Sequence, residues 1–264
     1  EDVRSFYSVL FDLLGSDDFS KNNKLEILMV LGRLTATKIS LKDNFCQDLL
    51  TRFDIRHRLP VDQFNFLSHA APFVNAQYLI QFLKIVFDFL GEPYRPLRKK
   101  TIACLEAMKR RVKDDQNAAT YLRSWLQTEL AKTEKQTLHA PLTCLTYAPE
   151  FSNDKLYEQV VHLLQHTSSE IQINAIDCLA IISKDRSETE LFQLAKQLLP
   201  FLKSESYSCS EAAAKCLIGF MSQLKQENLN TLAQKISPHG LNITHSSHLP
   251  QWLSNGVKFL YQYL

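Results

Sequence analysis

Hydrophobic residues recur along most of this chain at the spacing of one face of an α-helix. In the segment 96–112, apolar or small residues follow one another at steps of four, four, three and four, at Leu97, Thr101, Leu105, Met108 and Val112. The segments 168–184 and 208–224 repeat the pattern. Such steps place side chains on one side of a helix, so the pattern predicts amphipathic helices rather than strands.

The predicted helices alternate as first and second members of seven pairs. First helices are expected at residues 2–14, 43–55, 76–91, 116–131, 154–166, 188–202 and 227–236. Second helices are expected at residues 22–36, 61–71, 96–113, 136–147, 168–184, 208–224 and 249–263. Three starts carry Ser or Thr three residues before Glu, which is the spacing of a capping box, at Thr167, Ser187 and Ser208. The sequence therefore predicts an all-α protein.

Each second helix carries a leucine at the same phase. These leucines are Leu31, Leu67, Leu105, Leu145, Leu179, Leu217 and Leu260, and their separations are 36, 38, 40, 34, 38 and 43 residues. Two helices per period of this length are typical of α-solenoids, in which each hairpin buries its apolar side against its neighbours. We therefore predict a right-handed α-solenoid of about seven antiparallel helical hairpins with a period of about 38 residues. We expect one domain over residues 1–264, as a fragment of a longer chain.

The residue before each leucine is apolar and predicts a packing position between helix layers. It is Val30, Phe66, Cys104, Cys144, Cys178, Cys216 or Phe259. Cysteine suits such a position because it is small and apolar. None of the six cysteines forms a CxxC pair, which favours free thiols in the cytoplasm or nucleus over a disulfide framework. A redox or metal role for these cysteines is the alternative interpretation.

The stretches "PLRKKTIACLEAM" and "SSEIQINAIDCLAII" resemble the second helix of HEAT or armadillo-type repeats. An apolar residue, a small residue and a leucine follow one another at four-residue steps, most clearly in the units that end at Leu105, Leu179 and Leu217. This resemblance implies a non-enzymatic scaffold or adaptor. Such a protein would bind another protein along a concave surface lined by the second helices of its repeats.

Residues of the second helices that point away from the leucines would line that surface. At about 100° per residue, the polar candidates of the central units are Lys99, Glu106, Arg110, His139, Thr143, Asp177, Lys184, Glu211 and Lys215. Ile173 and Ile218 are apolar exceptions, and an exposed apolar residue is a candidate anchor for a partner. We expect a charged and mixed surface, and a partner with an acidic or mixed-charge segment.

The segment 95–113 concentrates positive charge in one predicted helix. It carries eight basic residues and one acidic residue, Glu106, although the net charge of the chain is only +2. Basic residues at a helix N-terminus oppose the macrodipole, so we predict that Arg98, Lys99 and Lys100 contact an acidic segment of a protein partner. The competing hypothesis is a nucleic-acid-binding solenoid whose basic helix contacts phosphates. The third interpretation is a solvated helix face.

Other candidate chemistry is weaker. Trp125 and Glu129 resemble the pair that frames the damaged base in HEAT-like alkylpurine DNA glycosylases, but helix packing by Trp125 is the favoured interpretation. His162 and His166 have a spacing that can bind zinc, yet no third ligand accompanies them. Three further histidines cluster in one polar segment, at His239, His245 and His248.

The sequence shows neither a Gly-rich phosphate loop nor a recognisable catalytic triad. We therefore expect no enzymatic activity, no cofactor and no metal. No apolar run reaches the roughly 20 residues that span a bilayer, so we also expect no membrane span.

Overall fold

The structure, a computed structural model, describes residues 2–16, 18–37, 46–47, 64, 67–69, 71, 74, 76–204, 206–221 and 223–236. Eleven α-helices of two or more turns lie in these ranges. They are α1 (Asp2–Gly15), α2 (Lys21–Thr37), α3 (Ala76–Leu90), α4 (Arg95–Asp114), α5 (Gln116–Leu130), α6 (Lys135–Tyr147), α7 (Asp154–His162), α8 (Ser169–Ile182), α9 (Glu188–Leu198), α10 (Tyr207–Met221) and α11 (Gln226–Ile236). The described residues contain no strand, so the prediction of an all-α protein is confirmed.

Every helix predicted within the described ranges is present, and the main differences are at the helix ends. Helices α7 and α9 stop earlier than expected because their last turns tighten into 3₁₀ helices, Leu163–Gln165 and Leu199–Lys203. Such turns are frequent at helix ends, where the last carbonyl groups have no partner in the helix. The helices predicted at 43–55, 61–71 and 249–263 lie wholly or largely outside the described residues.

The chain divides into two compact units. In the first, Glu1–Glu129, α1 packs against α2 and α3 packs against α4. An aromatic stack joins α3 to α5, since the rings of Phe87 and Trp125 lie 3.8 Å apart between centroids and are nearly parallel.

None of the described helices is long and apolar enough to cross a membrane.

In the second unit, Leu130–Leu264, helix α8 packs between α6 and α10. Helix α7 packs against α8, and α9 packs against α10. Helices α6, α8 and α10 are the second members of three consecutive predicted pairs. They therefore lie side by side in one layer, in the order of the sequence.

The leucines of the repeat series are buried wherever the structure describes them. Leu31, Leu105, Leu145 and Leu179 are 0% exposed, and Leu67 and Leu217 are 3% and 2% exposed. Leu260 lies outside the described residues. Burying a leucine side chain contributes roughly 1.5–3 kcal/mol, so each of these leucines is part of the core.

The residue before each leucine is buried where it is cysteine, as the sequence predicts, but not at Val30. Cys104, Cys144 and Cys178 are fully buried and Cys216 is 2% exposed. Val30 is 42% exposed, so the prediction of a packing position is wrong there. Helix α8 is covered by neighbours on two sides, whereas the main contact of α2 among the described residues is with α1. Phe66 and Phe259 lie outside the described residues.

One of the three predicted capping boxes forms. The Ser187 hydroxyl accepts from the backbone N–H of Glu190, and the Glu190 carboxylate accepts from the backbone N–H of Ser187. The prediction is wrong at Thr167 because α8 begins one residue later than the box requires, at Ser169. It is wrong at Ser208 because α10 begins at Tyr207, which places Ser208 inside the helix.

Candidate functional site

The exposed side of α6, α8 and α10 carries most of the predicted partner-binding positions of the second unit. We call it the α6–α8–α10 surface. It consists of Lys135, His139, Glu170, Ile173, Asn174, Asp177, Glu211, Lys215 and Ile218. The charged residues among them are exposed or half-buried, and Ile173 and Ile218 are half-buried. Lys184, which was also predicted here, is exposed just beyond the end of α8.

Polar side chains join α6 to α8 on this surface. The Glu170 carboxylate lies 2.5 Å from Nζ of Lys135 and 3.6 Å from Nε2 of His139. The Asn174 side-chain amide lies 3.0 Å from Nδ1 of His139, to which it donates. Exposed ion pairs of this kind contribute little stability. Their main effect is to hold the His139 ring in a fixed orientation between the side chains of Glu170 and Asn174 on α8.

A second cluster of polar side chains is formed by Asp177 on α8 with Glu211 and Lys215 on α10. Lys215 donates to the Glu211 carboxylate at 2.7 Å, one turn away on α10. Loss of hydration raises the pKa of Asp177 on α8, while the Lys215 ammonium group partly offsets that shift. The Glu211 hydrogen bond and the Asp177 charge raise the pKa of Lys215. The surface therefore presents both signs of charge within two neighbouring helices.

The cysteines beneath this layer are poor nucleophiles. Burial raises the pKa of Cys178 and Cys216 to about 12, and it raises that of Cys144 further. A thiol reacts as the thiolate, so these groups stay protonated and unreactive at neutral pH. Their burial supports the packing interpretation of the cysteine series.

The basic helix α4 belongs to the first unit, and its charges differ in their surroundings. Lys99, Glu106 and Arg110 are exposed, whereas Arg98 and Lys100 are half-buried. Arg111 donates from Nη1 to the carbonyl oxygen of Ala71 at 3.1 Å, and burial lowers its pKa. Arg111 therefore has a structural role, while the exposed residues are open to a partner.

Among the weaker candidates, Trp125 and His166 make structural contacts. The Trp125 ring is stacked on Phe87, as its packing interpretation predicts. His162 ends α7, and His166 lies beyond the following 3₁₀ turn, so the two do not share one regular helix. Nε2 of His166 lies 3.1 Å from the Thr133 carbonyl oxygen, and Nδ1 accepts from the Ser168 backbone N–H at 3.0 Å.

No group of three His, Cys, Asp or Glu side chains in the described part of the chain is arranged to hold a metal ion. His239, His245 and His248 lie outside that part.

Sequence reasoning missed Lys135, Glu170 and Asn174. Glu170 lies about one turn before the predicted position Ile173 of α8, and Lys135 lies about one turn before His139 on α6. Asn174 lies between the predicted positions Ile173 and Asp177. Extending the phase count to the first residues of each helix would have included Lys135 and Glu170.

It also missed a cleft of about 410 Å³ between α7 and α9. There the Arg186 guanidinium lies over the Tyr157 ring and donates to Asp154 and Glu190, at 2.6 and 3.0 Å. Because these contacts join Arg186 to side chains of both helices, we interpret them as a structural tie between α7 and α9.

Comparison with known proteins identifies no family. No protein-family model and no curated protein matches this chain. Among solved structures, the chain is similar to the crystal structure of an engineered protein from the Northeast Structural Genomics Consortium, with a TM-score of 0.52 and 15% sequence identity. The match covers 83% of this chain and 94% of that one. At this identity the likeness concerns the fold alone.

Proposed function

We propose that this chain is a HEAT-like α-solenoid that acts as a non-enzymatic scaffold and binds a protein partner along the surface of its second helices. The observation that carries the proposal is the α6–α8–α10 surface, where paired charges of both signs lie beside Ile173 and Ile218. Protein interfaces combine apolar anchors with a polar surround in this way.

The solenoid part of the proposal rests on the order of helices within the second unit. Three consecutive second helices pack in sequence order, and each buries its series leucine, at Leu145, Leu179 and Leu217. Nearest-neighbour packing of equivalent helices is the defining contact of a helical repeat array. Extension of this arrangement to about seven hairpins in a single domain over residues 1–264 stays a prediction.

The chemistry of the α6–α8–α10 surface favours a protein partner over a nucleic acid. Three carboxylates of this surface lie on different turns of α8 and α10, at Glu170, Asp177 and Glu211. A nucleic acid is negatively charged along its whole length and would face all three of these like charges. A segment of mixed charge could pair with both signs. Nucleic-acid binding through the basic helix 95–113 is therefore the second candidate function, and α4 is its sole support among the described residues. Buried free thiols favour a cytoplasmic or nuclear location.

The proposal is tested by capturing partners from a cell lysate on the tagged chain and quantifying them by mass spectrometry. We expect Ile173→Ser with Ile218→Ser to lose the main partner. The matched control is Val161→Ser on α7, which is equally half-buried but lies outside the surface. Equal capture by the double variant and the wild-type chain, with circular dichroism unchanged, would contradict the proposal.

A further inference from the structure

Helix α4 presents a line of charged side chains to solvent along one side. Arg95, Lys99, Glu106, Arg110 and Lys113 are all exposed. Their steps of four, seven, four and three residues keep them on one side of a helix with 3.6 residues per turn. The opposite side is buried and carries the series leucine Leu105. The exposed line is therefore a surface feature that the core does not require.

The line has a pattern of positive, negative and positive charge. Lys99 and Arg110 are eleven residues apart, which corresponds to roughly 16 Å at about 1.5 Å per residue. Glu106 lies between them, one helical turn before Arg110, and the half-buried Ala103 lies one turn after Lys99. Two cationic groups thus flank a stretch that is neutral and then acidic.

The other cations of α4 do not extend this line. Arg111 is hydrogen-bonded to the Ala71 carbonyl oxygen, Lys100 and Lys109 are half-buried and make contacts of their own, and Arg98 is half-buried beside Lys99. The positive charge that remains for a ligand is therefore concentrated at the two ends of the exposed line rather than spread along it.

We propose that this line of α4 binds a polypeptide segment with two groups of carboxylates separated by a short spacer that is neutral or basic opposite Glu106. An extended chain advances about 3.3 Å per residue, so carboxylates about five residues apart, with about four spacer residues between them, match the roughly 16 Å between Lys99 and Arg110. The inference rests on the proposed function, that the chain binds a protein, and it names the chemistry of that partner at α4.

Glu106 is the residue that favours a polypeptide over a nucleic acid. Duplex DNA carries one negative charge per about 1.7 Å of its axis, without gaps, so a duplex lying along α4 would bring phosphates against this carboxylate. Like charges at close range oppose binding. A polypeptide can place a neutral or basic side chain there instead.

The experiment measures fluorescence anisotropy of labelled probes with the full chain at physiological salt. The patterned peptide has two blocks of three glutamates separated by about four residues that include a lysine. A second peptide has the same composition with its glutamates contiguous, and the third probe is a DNA duplex. We expect the patterned peptide to bind about threefold more tightly than either other probe, because it avoids Glu106.

Charge-reversal variants test whether the patterned peptide binds to α4. Lys99→Glu with Arg110→Glu should weaken binding of the patterned peptide about tenfold, whereas Arg4→Glu with Arg33→Glu, an equal charge change at exposed sites of the same unit, should change it less than about twofold. Glu106→Gln should remove the preference over the contiguous peptide. The proposal is overturned if no probe binds, if DNA or the contiguous peptide binds as tightly as the patterned one, or if the two double variants behave alike.

The outcome is separable from that of the proposed function. If the peptide series fails while Ile173→Ser with Ile218→Ser still loses its captured partner, only the α4 inference is wrong. If the peptide series succeeds while capture is unaffected, the binding site is on α4, and the α6–α8–α10 surface is not the site of the main partner.

Discussion

At the scale of single residues, burial follows from the phase of each side chain along its helix. The repeat spacing predicts that Leu179 is a core residue, and it is fully buried on the helix that packs between α6 and α10. The spacing does not predict that Val30 is exposed, because burial at that phase depends on a second neighbouring helix. The contact between His139 and Asn174 is also beyond sequence reasoning, since it requires knowing which side chains of adjacent helices face each other.

Truncation of Leu179 tests the assignment of the core. Leu179→Ala should lower the free energy of unfolding by roughly 2–5 kcal/mol, because it removes buried methyl groups and leaves a cavity. Urea denaturation followed by circular dichroism measures the change. Lys184→Ala, at an exposed position just beyond the same helix, should change it by less than about 0.5 kcal/mol. A loss near zero at Leu179 would show that this leucine is not a core residue.

Two serines at helix starts form a matched pair for testing the capping box. Ser187→Ala should destabilise the protein by about 1 kcal/mol, because it removes the hydroxyl that accepts from the Glu190 backbone N–H. Ser168 precedes α8 but makes no side-chain capping bond, so Ser168→Ala should have a much smaller effect. Equal losses in thermal or urea denaturation would mean that the hydroxyl of Ser187 does not stabilise α9.

The buried thiols predict a loss of stability in alkali. In the folded state, burial raises the pKa of Cys104, Cys178 and Cys216 to about 12, whereas an unfolded thiol titrates near about 8.5. Between these values the unfolded chain loses protons that the folded chain keeps. Stability from each thiol is therefore complete below about pH 8.5 and falls as the pH rises towards 12, by about 1–2 kcal/mol per thiol at pH 10.

Denaturation at pH 7.5 and pH 10 measures this effect. Cys104→Ala should lose less stability between the two pH values than the wild-type chain does, because one titrating thiol is gone. Lysines and tyrosines titrate in both proteins and cancel in the comparison. An equal pH dependence in the two proteins would show that the Cys104 thiol does not contribute.

At the scale of helices, the sequence predicts where each described helix lies, but it does not predict the exact ends of the helices or their 3₁₀ turns. Apolar periodicity places every described helix, because burial of one side is what stabilises it. The 3₁₀ turns after α7 and α9 depend on how the last carbonyl groups are satisfied. Pro141 is buried in the middle of α6, where it removes a backbone donor, and the packing around it must offset that loss.

Gly219 offers a test of helix propensity on α10. It is exposed within the helix, and a Cβ atom built at this position has no heavy atom within 4 Å apart from its chain neighbours and the adjoining helix backbone. Gly219→Ala should therefore stabilise the protein by roughly 0.5–1 kcal/mol, because alanine loses less backbone entropy on folding. Thermal denaturation measures the gain. A destabilised variant with unchanged helix content would mean that the space around Gly219 is not open.

At the scale of the whole molecule, the sequence period predicts which helices are equivalent, and the structure of the second unit shows α6, α8 and α10 to be neighbours. The candidate surface is only partly predictable for the same reason. Phase along one helix indicates that Asp177 and Lys215 are exposed, but their mutual influence across α8 and α10 depends on the packing of the two helices. Binding itself depends on a partner whose chemistry the period does not encode.

The most direct test of the account is hydroxyl-radical footprinting of the chain with and without its captured partner. We expect oxidation of Ile173 and Ile218 to fall in the complex, while that of Val161 on α7 is unchanged. Protection of Val161 with no change at Ile173 and Ile218 would contradict it, since the partner would then lie against the first helices instead of the α6–α8–α10 surface.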